Sequence, residues 1–175
     1  MSVLAIAVPS RAVRLEAWVG SGASAEVYRG TLHDVDGDRP VAVKLLKPAA
    51  MLSAPVVRDL IAEAWVVRQL RHPSLMRFVE LMRLEGQLAM LTEYIAGCDL
   101  AALGRLNERA ALGAVAQVAE AMAAGPEGFV HRDLKPDNLR ITPTGRVVVV
   151  DMGLAQIAGV GACTRTGRAG TPPYM

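Results

Sequence analysis

Within eight residues, His131-Arg132-Asp133-Leu134-Lys135-Pro136-Asp137-Asn138 gathers three kinds of chemistry. Asp133 is an acid that can accept a hydroxyl proton, Lys135 can neutralise a moving phosphoryl group, and the amide oxygen of Asn138 can bind a metal. Thirteen residues beyond Asn138, Asp151-Met152-Gly153 follows a Val-rich run. Asp151 adds a second hard-oxygen ligand of the kind Mg²⁺ prefers beside nucleotide phosphates.

Two weaker features lie upstream. Gly20-Ser21-Gly22-Ala23-Ser24-Ala25-Glu26-Val27 is a turn whose first glycines allow backbone amides close to a phosphate, although a two-glycine turn also serves as an ordinary hairpin. Twenty-two residues after Gly22, Val41-Ala42-Val43-Lys44 sets a lysine in an apolar strand. A charge on a buried strand asks for a carboxylate, and Glu63 on the following helix can supply it. On an edge strand the same lysine would be a surface residue.

The elements that must position these groups are legible as periodicities. Arg14 to Val19, Ala25 to Leu32 and Pro40 to Lys47 read as strands of an antiparallel meander, broken by the Gly-Ser-Gly turn and the Asp-rich loop at 34 to 38. From Pro55 to Leu70 the apolar residues Val56, Leu60, Ala64, Val67 and Leu70 recur at helical spacing, and Pro73 closes the segment. Leu75 to Leu84 and Gln87 to Tyr94 read as two more strands around a Glu85-Gly86 turn. Residues 107 to 124 are an Ala-rich helix ended by Gly125-Pro126, and 147 to 150 is a Val strand. The expected class is α+β: a lobe of five antiparallel strands plus one helix, then a second, partial lobe.

Composition is compatible with this and excludes little. The 175 residues are 52% hydrophobic, enough for a core, and 19 basic against 17 acidic residues give no general affinity for nucleic acid. Cys98 and Cys163 lack metal-ligand spacing and read as reduced thiols. The apolar stretch Val3 to Val8 lacks a basic flank and is too short to span a bilayer, so it reads as a lead-in rather than a signal peptide. No membrane segment and a cytoplasmic location are expected.

In order and spacing, these motifs resemble the signature of the protein kinases: Gly-rich loop, Val-Ala-Val-Lys strand, helix glutamate, His-Arg-Asp loop and a variant of Asp-Phe-Gly, from about Val13 to Met175. The resemblance implies an N-lobe and hinge over 13–95 after a lead-in at 1–12, and a partial C-lobe over 96–175. It implies that ATP and Mg²⁺, or Mn²⁺ in its place, are the cofactors. Lys44 would hold the α- and β-phosphates and pair with Glu63, Asp133 would be the base, Lys135 would steady the transferred group, and Asn138 and Asp151 would hold the metal. Gly20, Ser21 and Gly22 would cover the phosphates. Val27 and Ala42 would roof the adenine pocket, Thr92 would be the gatekeeper, and Glu93, Tyr94 and Ile95 the hinge that reads the adenine edge. Asp99 would meet the ribose.

Lys-Pro-Asp-Asn and Gly170-Thr171-Pro172-Pro173-Tyr174-Met175 are similar to the serine/threonine class, with Thr171 beside Asp133. Arg132 before the base implies an activation segment ordered by phosphorylation, with Thr164 and Thr166 as candidate sites. The same residues would also occur by chance in any Thr- and Arg-containing tail.

Three positions depart from the family pattern. Ala25 replaces the third glycine, and Met152 replaces the phenylalanine of Asp-Phe-Gly, where it is expected to fill the same slot beside Val67, Phe78 and His131. Arg140 falls where a leucine commonly lies under adenine. Its stem is expected to cover the ring while its head reaches water. The resemblance points to a bacterial, eukaryotic-like kinase with roles in signalling, acting on serine or threonine of protein substrates and able to pair with another kinase. The family continues into Ala-Pro-Glu and further helices, so the chain is expected to be a C-terminally truncated domain, with apolar surface exposed on the helix at 107 to 124. The alternative is a truncated, nucleotide-binding regulatory module. A small-molecule phosphotransferase shares the fold by analogy but does not usually carry these loop motifs.

Overall fold

A computed structural model describes residues 11–158 and 171. The first lobe is a five-stranded antiparallel sheet in the order β1-β2-β3-β5-β4. Its strands are β1 (Ala12–Ser21), β2 (Ala25–Asp34), β3 (Gly37–Leu46), β4 (Phe78–Leu84) and β5 (Gln87–Glu93). Between β3 and β4 come a single helical turn, α1 (Pro48–Met51), and the long helix α2 (Ala54–Gln69). The sheet and long helix match the sequence expectation. The extra turn α1 does not, because four residues are too few to show a helical period.

Loop chemistry explains the connections. The β4–β5 hairpin turns on Glu85 and Gly86, both at positive φ (48° and 86°), as a two-residue turn compatible with strand twist requires. The fourth strand starts at Phe78 rather than Leu75 because the preceding residues are drawn to the other lobe: Leu75 bridges Val149 in parallel, and Met76 N–H donates to the Val149 carbonyl at 3.0 Å.

The sheet buries side chains on both faces, whereas β1 at its edge is largely exposed. One side holds Leu32, Val41, Val43, Ala89 and Leu91, all fully buried. The other packs against α2 through Leu46, Leu60, Val67, Leu70 and Met90. Met152 is fully buried and belongs to this second cluster together with Val67, and Phe78 packs against the cluster.

The second region has smaller elements. The pair β6 (Cys98–Asp99) and β8 (Leu139–Ile141) joins β9 (Val147–Val149) in a three-stranded antiparallel sheet, and β7 (Phe129–Val130) pairs with β10 (Gln156–Ile157). Short 3-10 turns cover Leu100–Leu103 and Pro136–Asn138. Helix α3 (Glu108–Ala123) is capped by Asn107, whose side chain accepts from Ala110 N–H. Only Ala114 and Ala121 of α3 are buried, while Leu112 and Val115 are 62% and 65% exposed, which matches the apolar surface expected on this helix. Among the described residues no helix is long and apolar enough to cross a membrane.

Candidate active site

Strand register brings the first group of candidates onto one face. Gly20 lies opposite Val27, Val27 opposite Lys44, and Lys44 opposite Met90; two residues along, Ala42 lies opposite Thr92. Directly paired residues share a face, as do residues two apart on a strand. That face is the one α2 packs against, so Glu63 reaches Lys44. Both carboxylate oxygens of Glu63 accept from Lys44 Nζ at 2.7 Å. Burial alone would lower the lysine's pKa, but the charges of Glu63 and Asp151 outweigh it and hold the pKa above its ordinary value. Lys44 is therefore a fixed cation.

Asp151 joins this pair from the second region. Its Oδ1 lies 3.6 Å from Lys44 Nζ and accepts from Gly153 N–H at 2.9 Å. A Cβ at Gly153 would stand 3.2 Å from that oxygen and 3.6 Å from the ammonium, so the missing side chain lets the turn close on the ion pair. The backbone N–H of Val150 donates to the Asn138 carbonyl at 3.0 Å, which fixes the strand before Asp151 against the loop that carries Asn138.

The second group centres on Asp133. Its Oδ1 accepts from Thr171 Oγ1 at 2.6 Å, and its Oδ2 lies 3.1 Å from Lys135 Nζ and 3.2 Å from Asn138 Nδ2. Lys135 Nζ donates to the same threonine hydroxyl at 2.8 Å. Burial tends to raise the Asp133 pKa, but the Thr171 and Lys135 hydrogen bonds and the lysine charge win, and it falls below the usual carboxylate value. Asn138 also donates to the Asp133 carbonyl at 2.9 Å, so its nitrogen is committed to the loop and its oxygen is the atom available to a cation.

Arg132, next to Asp133, adopts φ +66°, an uncommon conformation for a side chain of this size, and donates through Nε to the Leu154 carbonyl at 2.7 Å. Its Nη2 is buried with no hydrogen-bond partner among the described residues. Thr164 and Thr166 lie outside the described residues, as does Cys163.

The glycine turn and the hinge hold further detail. Gly22 N–H donates to the Ala25 carbonyl at 2.8 Å, and Lys47 Nζ donates to the Gly22 carbonyl at 2.8 Å. A Cβ at Gly20 would meet no atom within 4 Å, so packing does not demand that glycine. Ser21 is at the exposed tip. Thr92 and Ile95 are buried, and the Arg29 guanidinium lies 5.4 Å over the Tyr94 ring.

Arg140 departs from expectation. Its head is only partly exposed and is tied back to the chain. Nε donates to the Ile95 carbonyl at 3.0 Å, Nη1 to Asp99 Oδ1 at 2.8 Å, and Nη2 to the Gly97 carbonyl. The reason is register: β6–β8 pairing sets Asp99 opposite Arg140, so a guanidinium there finds the hinge acceptors before it finds solvent. Sequence reading also missed Arg146, which joins Pro73 (Nη1 to carbonyl, 2.8 Å) to Glu93 (3.7 Å), and Gln117, which accepts from Val147 N–H at 2.9 Å. Their partners are mostly backbone atoms far along the chain, which leave no trace in residue types.

Comparison with known proteins agrees with this arrangement. The protein kinase domain family matches residues 13–175. Serine/threonine-protein kinase PkaA of Streptomyces coelicolor is 34% identical over 180 residues, covering 92% of this chain and 33% of that protein. Serine/threonine-protein kinase PknA of Mycobacterium tuberculosis is 34% identical over 173 residues, covering 93% and 40%. CBL-interacting protein kinase 19 of Oryza sativa is 32% identical over 144 residues, covering 80% and 28%. The chain thus spans about a third of the length of these curated relatives. With the motifs in order, their side chains converging and a family match over nearly its whole length, the chain belongs to the protein kinase domain family, with serine/threonine kinases as its relatives.

Proposed function

We propose that this chain carries the ATP- and Mg²⁺-dependent transfer of a phosphoryl group to serine or threonine hydroxyls of protein substrates. The observation that carries the reading is the threonine hydroxyl held between base and cation: Thr171 Oγ1 is 2.6 Å from Asp133 Oδ1 and 2.8 Å from Lys135 Nζ. This is the environment an attacking alcohol needs, made here by an alcohol of the chain itself.

The residues fit a metal-bound nucleotide. Asn138 and Asp151 offer the hard oxygens that suit Mg²⁺, which takes its remaining ligands from phosphates and water. The metal, when bound, neutralises charge on the phosphates; Mn²⁺ suits the same oxygens. Lys44, kept cationic by Glu63 and Asp151, binds the α- and β-phosphates. Gly20, Ser21 and Gly22 cover the phosphates, and the open space at Gly20 supports their approach. Val27, Ala42 and Thr92 line the base pocket, Glu93, Tyr94 and Ile95 present backbone groups to adenine, and Asp99 stands toward the ribose.

In the transfer, the substrate hydroxyl oxygen forms a bond to the terminal phosphorus as the bond from phosphorus to the bridging oxygen breaks. ADP leaves, and the hydroxyl proton passes to the Asp133 carboxylate. The lowered pKa makes Asp133 a weak base that mainly orients the hydroxyl and takes its proton late. Lys135 offsets the charge on the moving group.

The nucleotide-binding lobe is assigned to 13–95 and the catalytic region to 96–175. Thr164 and Thr166 are assigned as phosphorylation sites, supported by the buried Arg132 Nη2, which has no hydrogen-bond partner among the described residues.

The test supplies Mg·ATP labelled in its terminal phosphate and asks where the label goes. Label on serine or threonine, lost in Lys44→Met, is the expected result; no transfer to any hydroxyl under conditions where ATP binds overturns the enzyme reading.

A further inference from the structure

Resting on the assignment of 92–95 as the segment that reads a purine, we propose that Arg140 selects the base: by occupying the Ile95 carbonyl, its guanidinium admits adenine and rejects guanine. The edge of adenine that faces such a segment carries a donor, the N6 amino group, followed by an acceptor, N1. Guanine carries an acceptor, O6, followed by two donors, N1–H and the N2 amino group. A backbone segment offers C=O and N–H groups in alternation. Adenine is satisfied by one carbonyl and one amide, the Glu93 C=O and the Ile95 N–H. Guanine, once O6 accepts from the Ile95 N–H, needs the Ile95 carbonyl for its donors.

In this chain that carbonyl already accepts from Arg140 Nε at 3.0 Å. A cationic donor there competes with the guanine donors for the same oxygen lone pairs and repels the positive ends of their N–H bonds. Adenine has no second strong donor at that place and loses nothing. An apolar residue at 140 would leave the carbonyl open to either purine.

Arg140 cannot easily withdraw. Its side chain is only 18% exposed, and its three other-strand and hinge contacts run to Ile95, Gly97 and Asp99 in one fork. The hinge segment is itself seated on β8: Gly97 has φ +146° and leaves no room for a Cβ against the Ile141 carbonyl. Freeing the Ile95 carbonyl would therefore mean breaking charge-assisted bonds, which are about twice as strong as neutral ones.

Calorimetric titration of the chain with Mg·ATP and Mg·GTP, before and after substitution, tests the assignment. The unmodified chain is expected to favour ATP, and Arg140→Leu and Arg140→Met to raise GTP affinity relative to ATP by about tenfold, chiefly through tighter GTP binding. Arg140→Lys, which keeps the charge but loses the fork, is expected to raise the ratio less. Equal weakening of both nucleotides would overturn the inference and leave Arg140 as a brace for the hinge. So would loss of ATP binding in all three variants, or an unmodified chain that binds both nucleotides equally. Failure of the unmodified chain to bind either nucleotide would instead overturn the purine-reading assignment on which the inference stands.

Discussion

The two halves of this molecule reach their order by different means. In the sheet lobe, ten-residue strands β2 and β3 pair residue for residue, and fully buried side chains pack on both faces, such as Val43 and Leu91 on one and Met90 with Val67 of α2 on the other. In the region from β6 onward, strands are two or three residues long and helix α3 buries only two alanines. Besides a small apolar core that includes Val147, Val148, Val149 and Met152, this region is tied by polar contacts: Asn138 to Asp133, Arg132 to Leu154, Gln117 to Val147 and Arg140 to Ile95. Hydrophobic burial makes a rigid wall for Lys44 and Glu63, whereas a hydrogen-bonded frame can aim several small groups at one point. The groups proposed to bind and react sit where the two kinds of order meet, with Asp151 3.6 Å from Lys44 across the boundary.

The contrast should appear first in stability. Leu91→Ala removes a fully buried side chain and is expected to cost about 3 kcal/mol, whereas Leu112→Ala, 62% exposed on α3, should change stability by less than about 0.5 kcal/mol in denaturant titration of the chain. Equal costs would mean that α3 is covered in solution and that the comparison is wrong.

Glu63→Gln sharpens the boundary between the halves. Glu63 is 7% exposed and ion-paired to Lys44, so its neutralisation leaves Lys44 with Asp151 at 3.6 Å as its remaining carboxylate partner in the site. The Lys44 pKa is expected to fall, because burial then opposes fewer negative charges, and nucleotide affinity to drop about tenfold, a loss of about 1.4 kcal/mol. Unchanged nucleotide affinity would show that Asp151 alone suffices to hold the cation.

The smallest effect concerns pH. Burial lowers the pKa of His131, so the folded chain keeps the ring neutral where the unfolded chain would protonate it. The unfolded state then binds more protons, and stability falls as pH drops below about 6.5, the ordinary histidine value. His131→Phe should flatten the stability profile below about pH 6.5. A profile of the same slope in that variant would assign the dependence to another group.

How much of this was legible in the sequence follows the same division. The long strands are legible as apolar-rich runs between turns, and α2 as a helical period, each to within a few residues. Lys44 announced its partner, since a cation in an apolar strand needs an anion nearby. The loop residues Asp133, Lys135 and Asn138 were found as a cluster in sequence and remain a cluster in space. By contrast, β6, β7 and β10 are too short to carry a period. The Arg140 fork leaves no sign in residue types because its acceptors lie more than forty residues away, and two of them are carbonyls that any residue would supply. Short elements and backbone acceptors carry no residue-type signal. The start of β4 was misplaced for a related reason: Leu75 has the pattern of a strand and does pair, but with Val149 of the other region.

The central claim is that the sheet lobe grips the nucleotide while the Asp133 frame handles the hydroxyl, so binding and transfer should separate by substitution. The most direct measurement is Asp133→Asn, assayed in parallel for Mg·ATP affinity and for phosphoryl transfer to serine or threonine. The account predicts an affinity within about twofold of the unmodified protein and a transfer rate lower by roughly 10² to 10⁴. A transfer rate left unchanged while ATP still binds would contradict it.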